Sequence, residues 1–159
     1  MKRLISTSIA WATANEPAIE RMRMRVVLHR RYHFAASHRL HQPGWTAEQN
    51  RAVYGKCSNP HGHGHNYVLD VAVSGPVDPA TGMITNLADL DAFVERQALA
   101  EFDHVYLNEQ VPDFRSVVPT TENICRVLFH RLRAYPHARL ESIGIQETAS
   151  NSFEYAGEQ

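Results

Sequence analysis

The chain has little cysteine, little lysine and no long apolar run. Only Cys57 and Cys125 occur among its 159 residues. Two thiols in a chain of this length do not make a disulfide scaffold, and no disulfide is expected. Cys125 lies in "ENICRVLFHRL", a helix-like run, and reads as a small core residue. The only lysines are Lys2 and Lys56, and the net charge is -1. No basic field invites nucleic acid. No stretch approaches a membrane span, so no membrane partner is expected. The start, "MKRLISTSIAWATA", is basic, but Ser6, Thr7 and Ser8 interrupt the apolar middle that a signal peptide needs. The expectation is a cytoplasmic chain, with an N-terminal extension over residues 1–24 and a single domain over 25–159.

Histidine is what the sequence has in excess. There are ten, and four fall between His41 and His65. The densest stretch, "KCSNPHGHGHNY" at 56–67, sets His61, His63 and His65 at alternating positions after Cys57.

Residues 25–38 alternate. Val26, Leu28, Tyr32, Phe34 and Ala36 share one face, with Arg30 as the exception; Arg25, His29, Arg31, His33 and Ser37 share the other. Period two predicts a half-buried strand with His38 pointing inward. Residues 39–62 hold Pro43, Gly44, Gly55, Pro60 and Gly62 and read as a long loop, which is usually functional or disordered. "HGHNYVLDVAV" predicts a second strand, with His63 and His65 on the face of Tyr67, Leu69, Val71 and Val73. From Asn86 to Phe102, Leu87, Leu90, Phe93, Val94 and Ala98 recur at helical spacing, after a cap at Thr85 or Asn86. "FDHVYLNEQVPDF" breaks that pattern. A second helix starts at Thr120 or Thr121 with the stripe Ile124, Val127, Leu128, Leu132 and Tyr135, and Pro136 ends it. "RLESIGIQET" and "NSFEYAG" give two more strands. The order β-β-α-α-β-β predicts an α+β domain: a four-stranded antiparallel sheet with two helices on one face.

A single inward histidine is usually a hydrogen-bonded core residue. Three of them, His38 from one strand and His63 and His65 from the next, suit zinc and leave a fourth position open. His61 has the right parity but sits just after Pro60, and is expected behind the ligands or facing solvent. Cys57 has three readings: a fourth ligand, an inert thiol or a reactive group. Lys56 adjoins it, and a nearby cation lowers a thiol's pKa, which favours reactivity. Asp103 and His104 form a carboxylate–imidazole dipeptide that can serve an acid or base. Glu147 shares a face with Ile143 and Ile145 and lacks a basic neighbour in sequence. It either bonds to backbone or a distant arginine, or receives paired N–H groups of a ligand.

Six blocks taken together resemble one family: "FAASHRL" (34–40), "YGKCSNPHGHGHNY" (54–67), "VDPATGMITNLADL" (77–90), "FDHVYLN" (102–108), "VVPTTENI" (117–124) and "QETASNSFEY" (146–155). They look like the 6-pyruvoyltetrahydropterin synthase family, which includes the 6-carboxytetrahydropterin synthases of queuosine biosynthesis. The resemblance runs over residues 25–157. It implies the tunnelling fold, and a homohexamer with active sites between subunits. It implies catalytic zinc on His38, His63 and His65, and Cys57 as the proton-abstracting base with Asp103 and His104 as its relay. It implies Glu147 as the clamp on a pterin, helped by Thr120 and Thr121. The implied substrate is 7,8-dihydroneopterin triphosphate. Five residues separate Cys57 from His63, as in the pyruvoyl-forming branch; the carboxy-forming branch typically has a shorter spacing. The alternatives are the carboxy-forming reaction on the same substrate and a non-catalytic zinc or pterin-binding module. His61, where related sequences often carry Asn, is a departure.

Overall fold

The computed structural model of the chain describes residues 26–158. The extension expected over 1–24 lies outside the described residues. The first alternating run forms β1 (Val26–His38). The 39–62 segment, expected as a loop, instead carries helix α1 (Ala47–Tyr54) and a 3-10 turn over Gly55–Ser58. The cause is local. Thr46 accepts from the Gln49 N–H, and the Gln49 side chain accepts from the Thr46 N–H, a reciprocal box that satisfies two orphan donors. The surrounding glycines and prolines mask that signal.

Next come β2 (His63–Gly75) and α2 (Leu87–Val94), which Asn86 caps by accepting from the Ala88 N–H. α2 runs on through a π-helical turn, Glu95–Leu99, into a last turn, Ala100–Phe102. Leu90, Val94, Ala98 and Phe102 are all buried at a spacing of four. Four residues overshoot an α-helical turn, and the wider π turn absorbs the drift. β3 (Val105–Tyr106), α3 (Leu107–Gln110), a 3-10 turn over Pro112–Arg115, α4 (Thr121–Leu132), β4 (Arg139–Thr148) and β5 (Asn151–Tyr155) complete the described chain.

The sheet order is β3-β1-β2-β4-β5. This corrects the four-stranded antiparallel expectation: the sheet has five strands and is mixed, because β3 joins β1 in parallel at Ala36–Val105 and Ser37–Tyr106. A two-residue strand carries no readable alternation. The other pairs are antiparallel, as expected. One face of the sheet packs against α2 and α4 through Phe34, Tyr67, Leu69 and Ile143, which meet Leu90, Val94, Ile124 and Leu128 in one core. Each such side chain contributes roughly 1.5–3 kcal/mol on burial. Arg30, the exception in the alternation, forks Asp91 of α2 with Nε–Oδ1 at 2.9 Å and Nη2–Oδ2 at 2.7 Å, and Tyr32 donates to the same carboxylate. That clamp ties α2 to β1. On the opposite face, a cavity is lined by strand residues alone, including His29, Arg31, Asp70, Gln146 and Glu154. Both thiols are free. Among the described residues no helix is long and apolar enough to cross a membrane.

Candidate metal centre and active site

Strand register brings the three histidines together. His38 stands opposite His63, and Ala36 opposite His65. His63 and His65, two apart on β2, point to one face. One ring nitrogen from each of the three lies within 4.8 Å of the others. His38 is 1% exposed, and its Nδ1 lies 2.8 Å from the Pro119 carbonyl. A carbonyl only accepts, so Nδ1 carries the proton and Nε2 presents a lone pair. That Nε2 lies 3.2 Å from His63 Nε2. His63 Nδ1 and His65 Nε2 are buried without a hydrogen-bond partner.

Burial pushes His38 down to about 4, and it also lowers His63, helped by the neighbouring His65. Neutral imidazole is the ligand form. Buried nitrogens without partners are uncommon and ask for a ligand. The residues present therefore fit a metal ion. Gly62 keeps the entrance to β2 close: its φ is +68°, and a Cβ there would meet the His38 carbonyl oxygen at 2.9 Å and the Tyr106 ring at 3.1 Å. His61 is exposed and outside the cluster.

Glu147, near the end of β4, reaches the same place. Its Oε1 is 3.8 Å from both His38 Nε2 and His65 Nε2. Thr121 Oγ1 donates to Oε1 at 2.8 Å, and Asn151 Nδ2 donates to Oε2 at 3.1 Å. Two neutral donors fix the carboxylate and leave acceptor sites for a ligand. Thr120 is used differently: its hydroxyl caps α4 by accepting from the Asn123 N–H. Asn151 was not singled out in the sequence. Its signal is the β4–β5 hairpin, which sets Asn151 opposite Thr148, one residue from Glu147.

Cys57 sits half-buried in the turn after α1. The expected lowering by Lys56 does not hold. Burial, followed by the negative charge of Glu147, pushes this thiol up. Asp103 and His104 dock on the outer edge of β1. Asp103 Oδ1 accepts from the Ala35 N–H at 2.7 Å, and His104 Nδ1 is 2.8 Å from Asp103 Oδ2. His104 has a positive φ of 57° and donates its own N–H to the Ala35 carbonyl. The Ala35 amide, and then His104, hold the Asp103 carboxyl below its usual range. A cavity of about 380 Å³ is lined by His65, His104 and Tyr106, among others, but not by Cys57. Among the described residues no hydrogen bond or ion pair joins Cys57 to Asp103 or His104.

The model of the family described as 6-pyruvoyl tetrahydropterin synthase matches residues 27–158. The chain is 43% identical over 137 residues to a 6-pyruvoyl tetrahydrobiopterin synthase of Pongo abelii, covering 86% of this chain and 94% of that one. The solved structure of Caenorhabditis elegans 6-pyruvoyl tetrahydropterin synthase matches with a TM-score of 0.80 at 37% identity, over 84% of this chain and 96% of that one. A 6-carboxy-5,6,7,8-tetrahydropterin synthase of Haemophilus influenzae is 28% identical over 121 residues, 64% of this chain and 84% of that one.

Proposed function

The chain belongs to the 6-pyruvoyl tetrahydropterin synthase family, and on that premise we propose that it is a zinc-dependent 6-pyruvoyltetrahydropterin synthase acting on 7,8-dihydroneopterin triphosphate. What carries this reading is the meeting of three imidazoles with a carboxylate that Thr121 and Asn151 hold by hydrogen bonds. The reaction releases inorganic triphosphate and converts the side-chain hydroxyls to ketones. The pterin ring is reduced as the side chain is oxidised, so no external redox cofactor is needed.

Glu147 receives the paired N–H groups of the pterin edge, and Thr121 and Asn151 keep its two oxygens in plane for them. Thr120 contributes by fixing the first turn of α4, from which Thr121 projects. His38, His63 and His65 hold the zinc, which when bound supplies Lewis acidity toward the side-chain oxygens and a positive charge favouring a thiolate at Cys57. Cys57 takes the proton from the side-chain carbon next to a hydroxyl. Asp103 orients His104, and His104 relays protons. Burial around the cluster excludes the water that would compete for these groups.

The chain is further proposed to assemble as a homohexamer. Among the described residues the outer edge of β5 is unpaired, and β3 covers only two residues of β1. Unpaired edges are a liability that association removes. Sedimentation showing a fully active 18 kDa monomer would refute this part. The activity is tested by incubating the zinc-loaded protein with dihydroneopterin triphosphate and weighing the product. The expected product retains the whole side chain. Loss of a two-carbon fragment would identify the carboxy-forming reaction, and no turnover would leave a binding module.

A further inference from the structure

Between the 3-10 turn at Pro112–Arg115 and α4 runs a short strap, residues 116–120, that touches both halves of the site. Pro119 is buried, and its carbonyl accepts from His38 Nδ1 at 2.8 Å. Two residues on, the buried Thr121 donates to Glu147 Oε1 at 2.8 Å. The strap therefore fixes the proton of one imidazole and one oxygen of the carboxylate at the same time. Its own support is thin. Ser116 and Val117 are exposed, and residues 115–119 line a cavity of about 290 Å³. Among the described residues only two side chains hydrogen-bond to residues 116–119: His38 itself and Asn123.

Asn123 holds the strap from α4. Its Nδ2 donates to the Val118 carbonyl at 2.9 Å, and the Thr120 N–H donates to the same oxygen at 2.8 Å. The second bond closes a three-residue turn on Pro119, whose ring presets φ for it. With the Val118 carbonyl turned toward α4, the next one, that of Pro119, faces His38. Asn123 is itself fixed, because its N–H donates to the Thr120 hydroxyl that caps the helix. We propose that Asn123 is a positioning residue for the reaction: by pinning the Val118 carbonyl it aims the Pro119 carbonyl at His38 and the Thr121 hydroxyl at Glu147, so that one side chain sets both the metal ligand and the pterin clamp. The pterin half rests on the function given above; the His38 half follows from the chain's own hydrogen bonds. A ligating imidazole keeps its tautomer and its aim through the partner on its other nitrogen, so a displaced Pro119 carbonyl loosens the Nε2 that His38 presents.

The test compares the full native chain with Asn123→Ala and Asn123→Asp. Both remove the amide that donates to Val118, and neither should weaken α4: alanine is a good helix former, and an acid in the first turn suits the helix dipole. In the metal-free native chain the His38 Nδ1 proton should give a slowly exchanging imidazole resonance, and in both variants it should exchange faster. Zinc affinity, measured by chelator competition, should fall about tenfold in each. The added charge of Asn123→Asp favours a cation, so a fall there reports lost aim rather than lost charge. With zinc saturating, affinity for a reduced pterin should fall about fivefold. If Asn123→Ala fails to fold, Asn123→Asp decides by the same three measurements. An unchanged His38 proton and an unchanged zinc affinity overturn the proposal. So does a lower melting midpoint with both affinities intact, which makes Asn123 a brace of the helix alone. A loss confined to zinc overturns the claim that one side chain sets both groups. A native chain that binds no reduced pterin counts against the activity, and the His38 proton and zinc affinity then decide the positioning role by themselves.

Discussion

His38, His63 and His65 lie between paired strands, whereas the His104 side chain, 80% exposed, stands at the outer edge of β1 on a left-handed backbone. The first group is complete within one chain. Register sets the three imidazoles edge to face, and burial lowers His38 and His63 toward the neutral form. The second is well formed as a pair but reaches nothing it is proposed to serve. Asp103 holds His104, Ala35 holds both, and Cys57 is elsewhere. The difference teaches that the proposed metal site follows from strand pairing within one chain, whereas the proposed proton relay needs Cys57 and His104 to meet across the proposed assembly.

The largest effect should come from breaking the buried half. His63→Ala removes a ligand from β2 without touching the hydrophobic core. Zinc content should fall to near zero, and turnover by about 10⁴-fold or more, because the lost Lewis acid is worth several kcal/mol in the transition state. Metal analysis and single-turnover rates check this, with circular dichroism to show that the sheet persists. Zinc retained at full occupancy in that variant would mean that His63 is not a ligand.

The exposed half is broken by mixing. Cys57→Ala and His104→Ala should each keep zinc and lower turnover by about 10²–10⁴-fold, the usual worth of a positioned acid or base. If the two groups meet across subunits, co-refolding the two inactive variants regains activity, since some sites then combine an intact Cys57 with an intact His104. A mixture as inactive as its parts places both groups of each site in one chain.

A smaller effect separates Glu147 from its supports. Glu147→Gln loses a charged hydrogen-bonding partner, at about 2–3 kcal/mol, or roughly 30–150-fold in pterin affinity, with zinc content unchanged. Asn151→Ala removes the donor to Oε2 and the acceptor of the Thr148 hydroxyl but leaves the Glu147 charge in place, so it should cost about tenfold or less. Calorimetry with a reduced pterin ranks the two. Equal losses would make Asn151 a direct ligand of the pterin.

The legibility of these parts follows the same division. β1 and β2 were readable because period two runs along β1 and along β2 from His63 to Val71, and it carried His38, His63 and His65 with it. β3 was not, because Val105 and Tyr106 form no pattern. α1 was hidden between Gly44 and Gly55, although Thr46 and Gln49 held its cap. The direction of the Cys57 shift was misread because Lys56 is near in sequence, while burial and Glu147 act through space. Asn151 escaped for the same reason: only the hairpin register brings it to Glu147.

The smallest effect tests how the exposed pair is held. The Asp103 carboxyl titrates below its ordinary 3.8, first because the Ala35 amide donates to it and then because of His104. A folded pKa below the unfolded one means that the unfolded chain binds more protons in that range. The contribution is therefore fully present above about pH 3.8 and is lost as pH falls through the lower folded value. The side chain is 40% exposed, so solvent screens the effect and the change in stability should be slight. Asp103→Asn keeps an oxygen for the Ala35 N–H but removes the charge, so it should leave the neutral-pH melting midpoint almost unchanged and flatten a small part of the acid limb. The Ala35 amide resonance is the direct readout. In the native chain it should move with a midpoint below 3.8, and in Asp103→Asn it should stay still. A midpoint at or above the ordinary carboxylate value would mean that Ala35 does not hold Asp103, and the edge of β1 would then no longer fix where the pair points.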